Sequence, residues 1–367
     1  MKILHISLSL GGGGAERVAV SLCNRFAAKE DDEVVLVSVL DDADPKNVFY
    51  LKDLSPRVRH VNLHCQTGLQ MKAFWRVYQT IRQERPDVVH THYGAVLLLF
   101  PTLLLPRVHY FHTIHNLAKR IEEKSGFLKR SVMCYLFTRN RVKPVTISEA
   151  CRRSYRETYH VHNDICITNG SEPLTLTPDA QAVKSEIDTL KGSPGDIVFI
   201  HVARHHSQKN HGRLFRTFLR LEKEGERFIL IVLGDHYDSC LAELKDSKCI
   251  FLLGPKSNVG DYMKQADFFV LSSDYEGLPM TLLEAMSMGV VPISTPAGGV
   301  VDVVEDGVTG YLTDSFDDEE FYRRVRQAIS EKGRIPRERI RKHYEQHFSM
   351  ETCAAKYYEA YKTALTR

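Results

Sequence analysis

The chain has 367 residues, 43% of them hydrophobic and 26% charged, with a net charge of +3. That is long enough for two or three ordinary cores, and it excludes a disordered, low-complexity or disulfide-scaffold protein. The charge is unevenly placed: residues 1–170 hold 24 Lys and Arg against 16 Asp and Glu, and the remainder holds 25 against 30. A basic front and an acidic back predict different partners for the two halves.

The elements alternate from the start. "MKILHISLSL" reads as a strand with no signal peptide before it, "AERVAVSLCNRFAAK" as a helix, and "EVVLVSVL" as a strand. "FWRVYQTIRQER" is a helix and "PDVVHTH" a strand. The run Val96–Pro106 is too short to span a membrane and is broken by Pro101, so it reads as a buried helix. The strand "RVHYFHTIH" follows, then basic helices and the short strand "PVTIS". Within His115–Lys143, eight basic residues face only Glu122 and Glu123, interleaved with Phe127, Leu128, Tyr135, Leu136 and Phe137. This stretch suits either a pair of solvated helices or peripheral contact with an anionic membrane.

Periodicity lapses over Thr168–Gln181, which reads as a linker. Strands and helices then resume, from "DIVFIHVA" through "DFFVLSS", "PMTLLEAMSMG" and "VVPIST". Strand–helix alternation predicts parallel sheets covered on both faces, here two doubly wound α/β domains in tandem with ligands at the strands' carboxyl ends. The cleft between the two domains is the expected place for a ligand. The terminal segment "SMETCAAKYYEAYKTAL" reads as a helix able to return to the first domain. The eight cysteines lack C-x-x-C spacing and predict free thiols in a reducing cytoplasm.

Three loops suit an anion. "GGGGAER" (Gly11–Arg17) follows the first strand and opens a helix, giving backbone N–H donors near Gly13 and Gly14. It lacks the third glycine of a dinucleotide fingerprint. "HVARHHSQKNHG" places Arg204 and Lys209 after the first strand of the second domain, where a cation pair can clamp a diphosphate. "PAGGVVDVVEDG" repeats the device with Gly298 and Gly299 leading into a short helix. In "EGLPMTLLEA", Glu276 sits in a turn and Glu284 in the helix that follows. Either helix-start preference or the hydroxyls of a polar ligand explains such a pair. Histidines at 109, 112 and 115, and at 90 and 92, end two strands; their spacing does not converge on one metal. Asp42 and Asp44 lie in a turn-forming surface loop. No nucleophile elbow or Ser-His-Asp signature is present. What remains is a site for phosphate and hydroxyls, most simply a nucleotide sugar.

On these residues the chain resembles the retaining family-4 glycosyltransferases of the GT-B architecture. The stretch "EGLPMTLLEAMSMGVVPISTPAGGVVDVVEDGVTGYL" is similar to their E-x7-E region, and "GGGGAERV", "DVVHTH", "HTIHN", "VTISEA", "ITNG", "HVARHHSQKN" and "LGDH" fit in order. The resemblance implies two facing Rossmann-like domains. Residues 1–170 with a terminal helix at about 347–367 would form the acceptor side, and 181–346 would bind the nucleotide sugar. It implies that Glu284 holds the ribose, Glu276 and His115 meet the sugar, and Arg204 and Lys209 bind the diphosphate. Backbone groups at Gly13, Gly14, Gly277 and Leu278 would assist. It further implies retention of the anomeric configuration, no metal and no cofactor. The expected reaction moves a hexose or N-acetylhexosamine from a UDP-linked donor to a glycan or lipid-linked acceptor of a bacterial surface polysaccharide, without nucleic acid. A nucleotide-sugar epimerase and a non-catalytic nucleotide-sugar-binding protein share the architecture. "TNGSEP", the histidine pair of "ARHHSQKN" and Asp302 depart from the family pattern.

Overall fold

The computed structural model describes residues 1–366 apart from Leu69 and Lys124, with Leu104 described in its backbone only. It divides into two compact units, Met1–Ser171 with Phe348–Arg367, and Glu172–His347.

The first unit holds a seven-stranded parallel sheet built from β1 (Lys2–Ser7), β2 (Glu33–Leu40), β3 (Arg59–Cys65), β4 (Val88–His92), β5 (His109–Ile114), β6 (Lys143–Thr146) and β7 (Ile165–Cys166). Their order is β3-β2-β1-β4-β5-β6-β7. The second unit holds β8 (Ile197–Val202), β9 (Phe228–Leu233), β10 (Ile250–Gly254), β11 (Phe268–Leu271), β12 (Val291–Ser294) and β13 (Tyr311–Leu312), ordered β10-β9-β8-β11-β12-β13. Both sheets are doubly wound, and the order reverses between β1 and β4 in one and between β8 and β11 in the other. Loops at such a switch point diverge and leave a crevice.

Apolar runs such as "FILIVL" of β9 are buried along their whole length, as central parallel strands require. In the first unit one sheet face is polar instead. His5 pairs in register with His90, so His5, His90 and His92 share a face. The terminal helix Met350–Leu365 covers this face and belongs to the first unit. Its Tyr361 hydroxyl bonds His90 Nδ1, and its Tyr357 hydroxyl lies 3.0 Å from Thr113 Oγ1. Ser349 caps the helix, its hydroxyl accepting from Thr352 N.

The run around Pro101, expected to be a helix, folds as a 3₁₀ helix, Tyr93–Leu104. Pro101 lacks an N–H and its ring crowds the carbonyl four residues back, so an α-helical ladder cannot pass through it. Likewise, Gly298–Asp302 is a five-residue 3₁₀ turn. The expected linker is coil up to Asp179, yet Asn169 and Ser171 are buried. A Cβ on Gly170 would lie 2.5 Å from the Ser349 carbonyl oxygen, so the chain passes the terminal helix closely there.

Candidate functional site

In the second unit the residues singled out from sequence lie at the carboxyl ends of β8, β11 and β12. After β8 the chain makes a 3₁₀ turn, Ser207–Lys209, and enters the helix His211–Lys223. Asn210, with φ of 45°, caps that helix by accepting from Arg213 N. The loop is stitched to the end of β11: Asp274 N donates to Gln208 O at 2.9 Å, and Ser272 Oγ donates to Lys209 O at 2.9 Å.

These bonds bring Lys209 against Glu276. Lys209 Nζ lies 2.7 Å from Glu276 Oε1, which also accepts from Ser273 Oγ at 2.7 Å. Gln208 Nε2 donates to Oε2 at 3.0 Å. Glu276 is 5% exposed, so its charge is buried but neutralised and bonded at both oxygens. Arg204, on the same loop, is exposed and has no ion pair among the described residues. The two expected diphosphate cations thus differ: one is engaged by the expected sugar-binding carboxylate, the other points into solvent.

The turn Glu276–Pro279 is set by the segment after β12. Gly298 has φ of 58°, and a Cβ there would lie 1.8 Å from Glu276 O. Only glycine tolerates both conditions. Gly299 N donates to Gly277 O at 2.9 Å, fixing the turn from the other side. Leu278 is buried, and Pro279 is the N-cap of helix Met280–Ser287 rather than its first residue. Glu284 lies within that helix and is 4% exposed.

In the first unit, Gly13 caps the helix Gly14–Ala27 at the end of β1. A Cβ on Gly13 would lie 2.2 Å from a Glu16 carboxylate oxygen, so the side chain of Glu16 folds back over this helix start. An anion seated there would have to displace it. His115 follows β5 and is half-buried. Its Nε2 lies 3.1 Å from His92 Nδ1, and His92 Nε2 lies 2.9 Å from His5 Nδ1. His112 faces the other side of the sheet, against Phe137, with its Nδ1 2.9 Å from Thr91 Oγ1. The run of histidines at 109, 112 and 115 is therefore split between faces.

One nitrogen from each of His5, His90 and His92 lies within 4.8 Å of the others, the spacing of a potential metal cluster. Their bonds fit a hydrogen-bonded stack better. His90 and His92 rings are 4.6 Å apart and 10° from parallel, and His5 and His92 rings are 20° from parallel. A metal must lie in the plane of each ring at about 2 Å from nitrogen, which stacked rings cannot share. Both His90 nitrogens are engaged, by Tyr361 and by Thr113 at 2.8 Å.

Burial depresses the basicity of this group: His5, His112 and His115 to about 3, and His90 and His92 well below the ordinary value. In the second unit, desolvation also pulls His201 down to about 4. Unfolded histidines take up protons as pH falls through about 6.5, and the folded ones stay neutral until near 3. The stability they lend is therefore complete above about pH 6.5 and is lost as pH falls toward 3. Calorimetry should show the Tm dropping between pH 7.5 and 5, before the carboxylates titrate. A flat Tm over that interval would contradict the neutral assignment.

Both acids of the basic stretch are taken up by arginines. Arg130 bonds Glu122 at 2.6 Å and Arg120 pairs with Glu123 at 3.1 Å. Lys124 lies outside the described residues. Phe127 and Leu128, at the start of helix Phe127–Thr138, are 87% and 69% exposed, and Tyr135 packs edge-on against the exposed Phe100. No described helix is long and apolar enough to cross a membrane.

Several residues of these networks escape sequence reading. Gln208 and Ser273 bond Glu276 but carry no motif, and His5 sits in a run that reads only as a strand. Its one signal is a histidine in β1 at the register of "HTH" in β4.

Two family descriptions match the chain: "Glycosyltransferase Family 4" over residues 12–170 and "Glycosyl transferases group 1" over 184–347. An uncharacterized glycosyltransferase of Haemophilus influenzae is 24% identical, covering 87% of this chain and 88% of the relative. The UDP-Gal:alpha-D-GlcNAc-diphosphoundecaprenol alpha-1,3-galactosyltransferase of Escherichia coli is 23% identical, covering 90% and 89%. Other matches are partial: the chain spans 59% of glycosyltransferase MJ1059 of Methanocaldococcus jannaschii at 24% identity over 61% of this chain. Among solved structures, Anabaena Alr3699/HepE in complex with UDP superposes with a TM-score of 0.81 at 17% identity, covering 99% of this chain and 100% of that one. That likeness is one of fold.

Proposed function

The chain belongs to the group 1 and family 4 glycosyltransferases, and from that premise we propose that it transfers a hexose or N-acetylhexosamine from a UDP-linked sugar, with retention, to a lipid-linked or glycan acceptor of a bacterial surface polysaccharide. The Lys209–Glu276 pair at the β8/β11 switch point supports this reading: a cation and a buried carboxylate meet in the kind of crevice that suits a diphosphate and sugar hydroxyls. Relatives named for a UDP-linked donor with a lipid-diphosphate acceptor and for polysaccharide biosynthesis support the nucleotide and the acceptor class.

On this reading, Glu284 accepts from the ribose hydroxyls, and Glu276 and His115 meet the sugar. Arg204 and Lys209 bind the diphosphate, with backbone groups at Gly13, Gly14, Gly277 and Leu278. The acceptor oxygen bonds to the anomeric carbon on the face from which the diphosphate departs. The acceptor's proton passes to the leaving phosphate oxygen, giving the glycoside and UDP. The cations stabilise charge as the C–O bond breaks, so the step calls for no metal. Binding converts the ion pair into two new contacts, since Lys209 turns to phosphate as Glu276 turns to hydroxyls.

Exposed Phe127 and Leu128, followed by Lys129 on the same helix, support peripheral contact with an anionic membrane, where a lipid-linked acceptor would reside. The test of the binding reading is thermal stabilisation by a panel of nucleotide sugars. A ligand at a hundred times its Kd adds about 2.7 kcal/mol of stability. A UDP-sugar should raise the Tm, and no shift from any nucleotide or nucleotide sugar would overturn the assignment.

A further inference from the structure

Behind His115 the first unit holds a line of imidazoles that the transfer step does not use. His115 Nε2 bonds His92 Nδ1, and His92 Nε2 bonds His5 Nδ1. At the inner end, His5 Nε2 is buried without a hydrogen-bond partner among the described residues. Its surroundings include the rings of Phe26 and Tyr361, which offer no lone pair, and the Tyr361 hydroxyl is taken by His90. At the outer end, the described residues engage the His115 side chain only through Nε2.

Burial keeps all three rings neutral near pH 7. A neutral imidazole has one N–H and one lone pair, and each bond in the line needs one of each. The three tautomers are therefore not independent, and only two assignments complete both bonds. With every proton on Nε2, His5 points an N–H at no acceptor and His115 offers a lone pair from Nδ1. With every proton on Nδ1, His5 donates to His92, His92 donates to His115, and His115 presents Nδ1–H. That second assignment leaves only a bare lone pair at His5 Nε2. A stranded buried N–H is the rarer and costlier defect.

We infer that His5 and His92 are positioning residues that set the tautomer of His115, so that its free Nδ1 carries the proton and meets a hydroxyl of the sugar as a hydrogen-bond donor. The inference rests on the proposed role of His115 for its consequence in transfer, and on the first unit alone for the tautomer. The line acts at a distance: His5 influences His115 through His92, with no ionised group involved. A ligand hydroxyl that tried to donate to Nδ1 would have to reverse all three tautomers and strand the His5 proton.

The experiment is the side-chain ¹⁵N spectrum of the full chain labelled in histidine, at pH 7.5 and without ligand. His115 should show a protonated Nδ1 and a bare Nε2. His92→Leu should return His115 to the Nε2–H form that free imidazole side chains favour. In transfer assays His92→Leu should lower kcat by roughly ten- to a hundred-fold, the scale of one hydrogen bond left unmade, with KM little changed. His92→Asn, whose amide can donate from near the Nδ1 position, should recover most of kcat. A merely structural role would lower Tm without changing the tautomer. His115 found as Nε2–H or as a mixture in the wild type overturns the inference, even if His92→Leu fails to fold. A chain that transfers no sugar yet holds His115 as Nδ1–H would refute the proposed reaction and leave the relay standing.

Discussion

Lys209→Ala is expected to lower kcat roughly 10²- to 10³-fold, the scale of losing one preorganised group aimed at developing charge. On the proposed assignment donor KM should change far less, since Arg204 would still meet the diphosphate and the contact to Lys209 would strengthen as the diphosphate leaves. The structure adds a second consequence. Lys209 Nζ lies 2.7 Å from a carboxylate whose side chain is 6% exposed. Without the cation, Glu276 keeps Ser273 and Gln208 as donors, and a buried carboxylate that loses its counter-ion is destabilising. Because Lys209 is partly solvated, the loss should be modest, about 1–2 kcal/mol. Adding Glu276→Gln to Lys209→Ala should then restore stability without restoring kcat. Chemical denaturation and steady-state kinetics on the two single variants and the double variant separate the effects. Additive losses of stability would mean that the pair is not coupled.

Glu284→Gln should raise the Kd for UDP about thirty-fold, corresponding to about 2 kcal/mol for charged hydrogen bonds to the ribose. Glu284 is 4% exposed within the helix Met280–Ser287, so the amide is close to isosteric and the fold should survive. Titration calorimetry with UDP alone isolates this effect from any contact with the sugar. An unchanged Kd would remove Glu284 from the nucleotide site. Glu276→Gln should leave UDP affinity nearly intact and weaken discrimination among UDP-sugars. The two glutamates of "EGLPMTLLEA" thereby separate in role.

The fold was legible because apolar runs and helical stretches alternate strongly, and loops after β1, β8, β11 and β12 carry glycine or cations. Local chemistry that depends on distant pairing was not legible. Lys209 and Glu276 are joined through bonds between loops after β8 and β11, and no short-range pattern encodes that registry. The His115 relay depends on β1 lying beside β4 in a register that sets His5 against His90. Strand β3 was missed because its residues are mostly half-buried or exposed, without a clear apolar face. The helix at Pro101 was legible, but its 3₁₀ form follows from the proline's missing N–H and not from the apolar pattern. Counting charge found the two acids of the basic stretch but not their partners, Arg130 for Glu122 and Arg120 for Glu123.

The central claim is transfer with retention from a UDP-linked sugar. Its most direct measurement is the anomeric configuration of the product, read by proton NMR after reaction of an α-linked UDP-hexose or UDP-N-acetylhexosamine with a lipid-diphosphate-linked sugar acceptor. Free UDP and an α-linked product are expected. A β-linked product, or an epimerised sugar still carrying UDP, would contradict the claim.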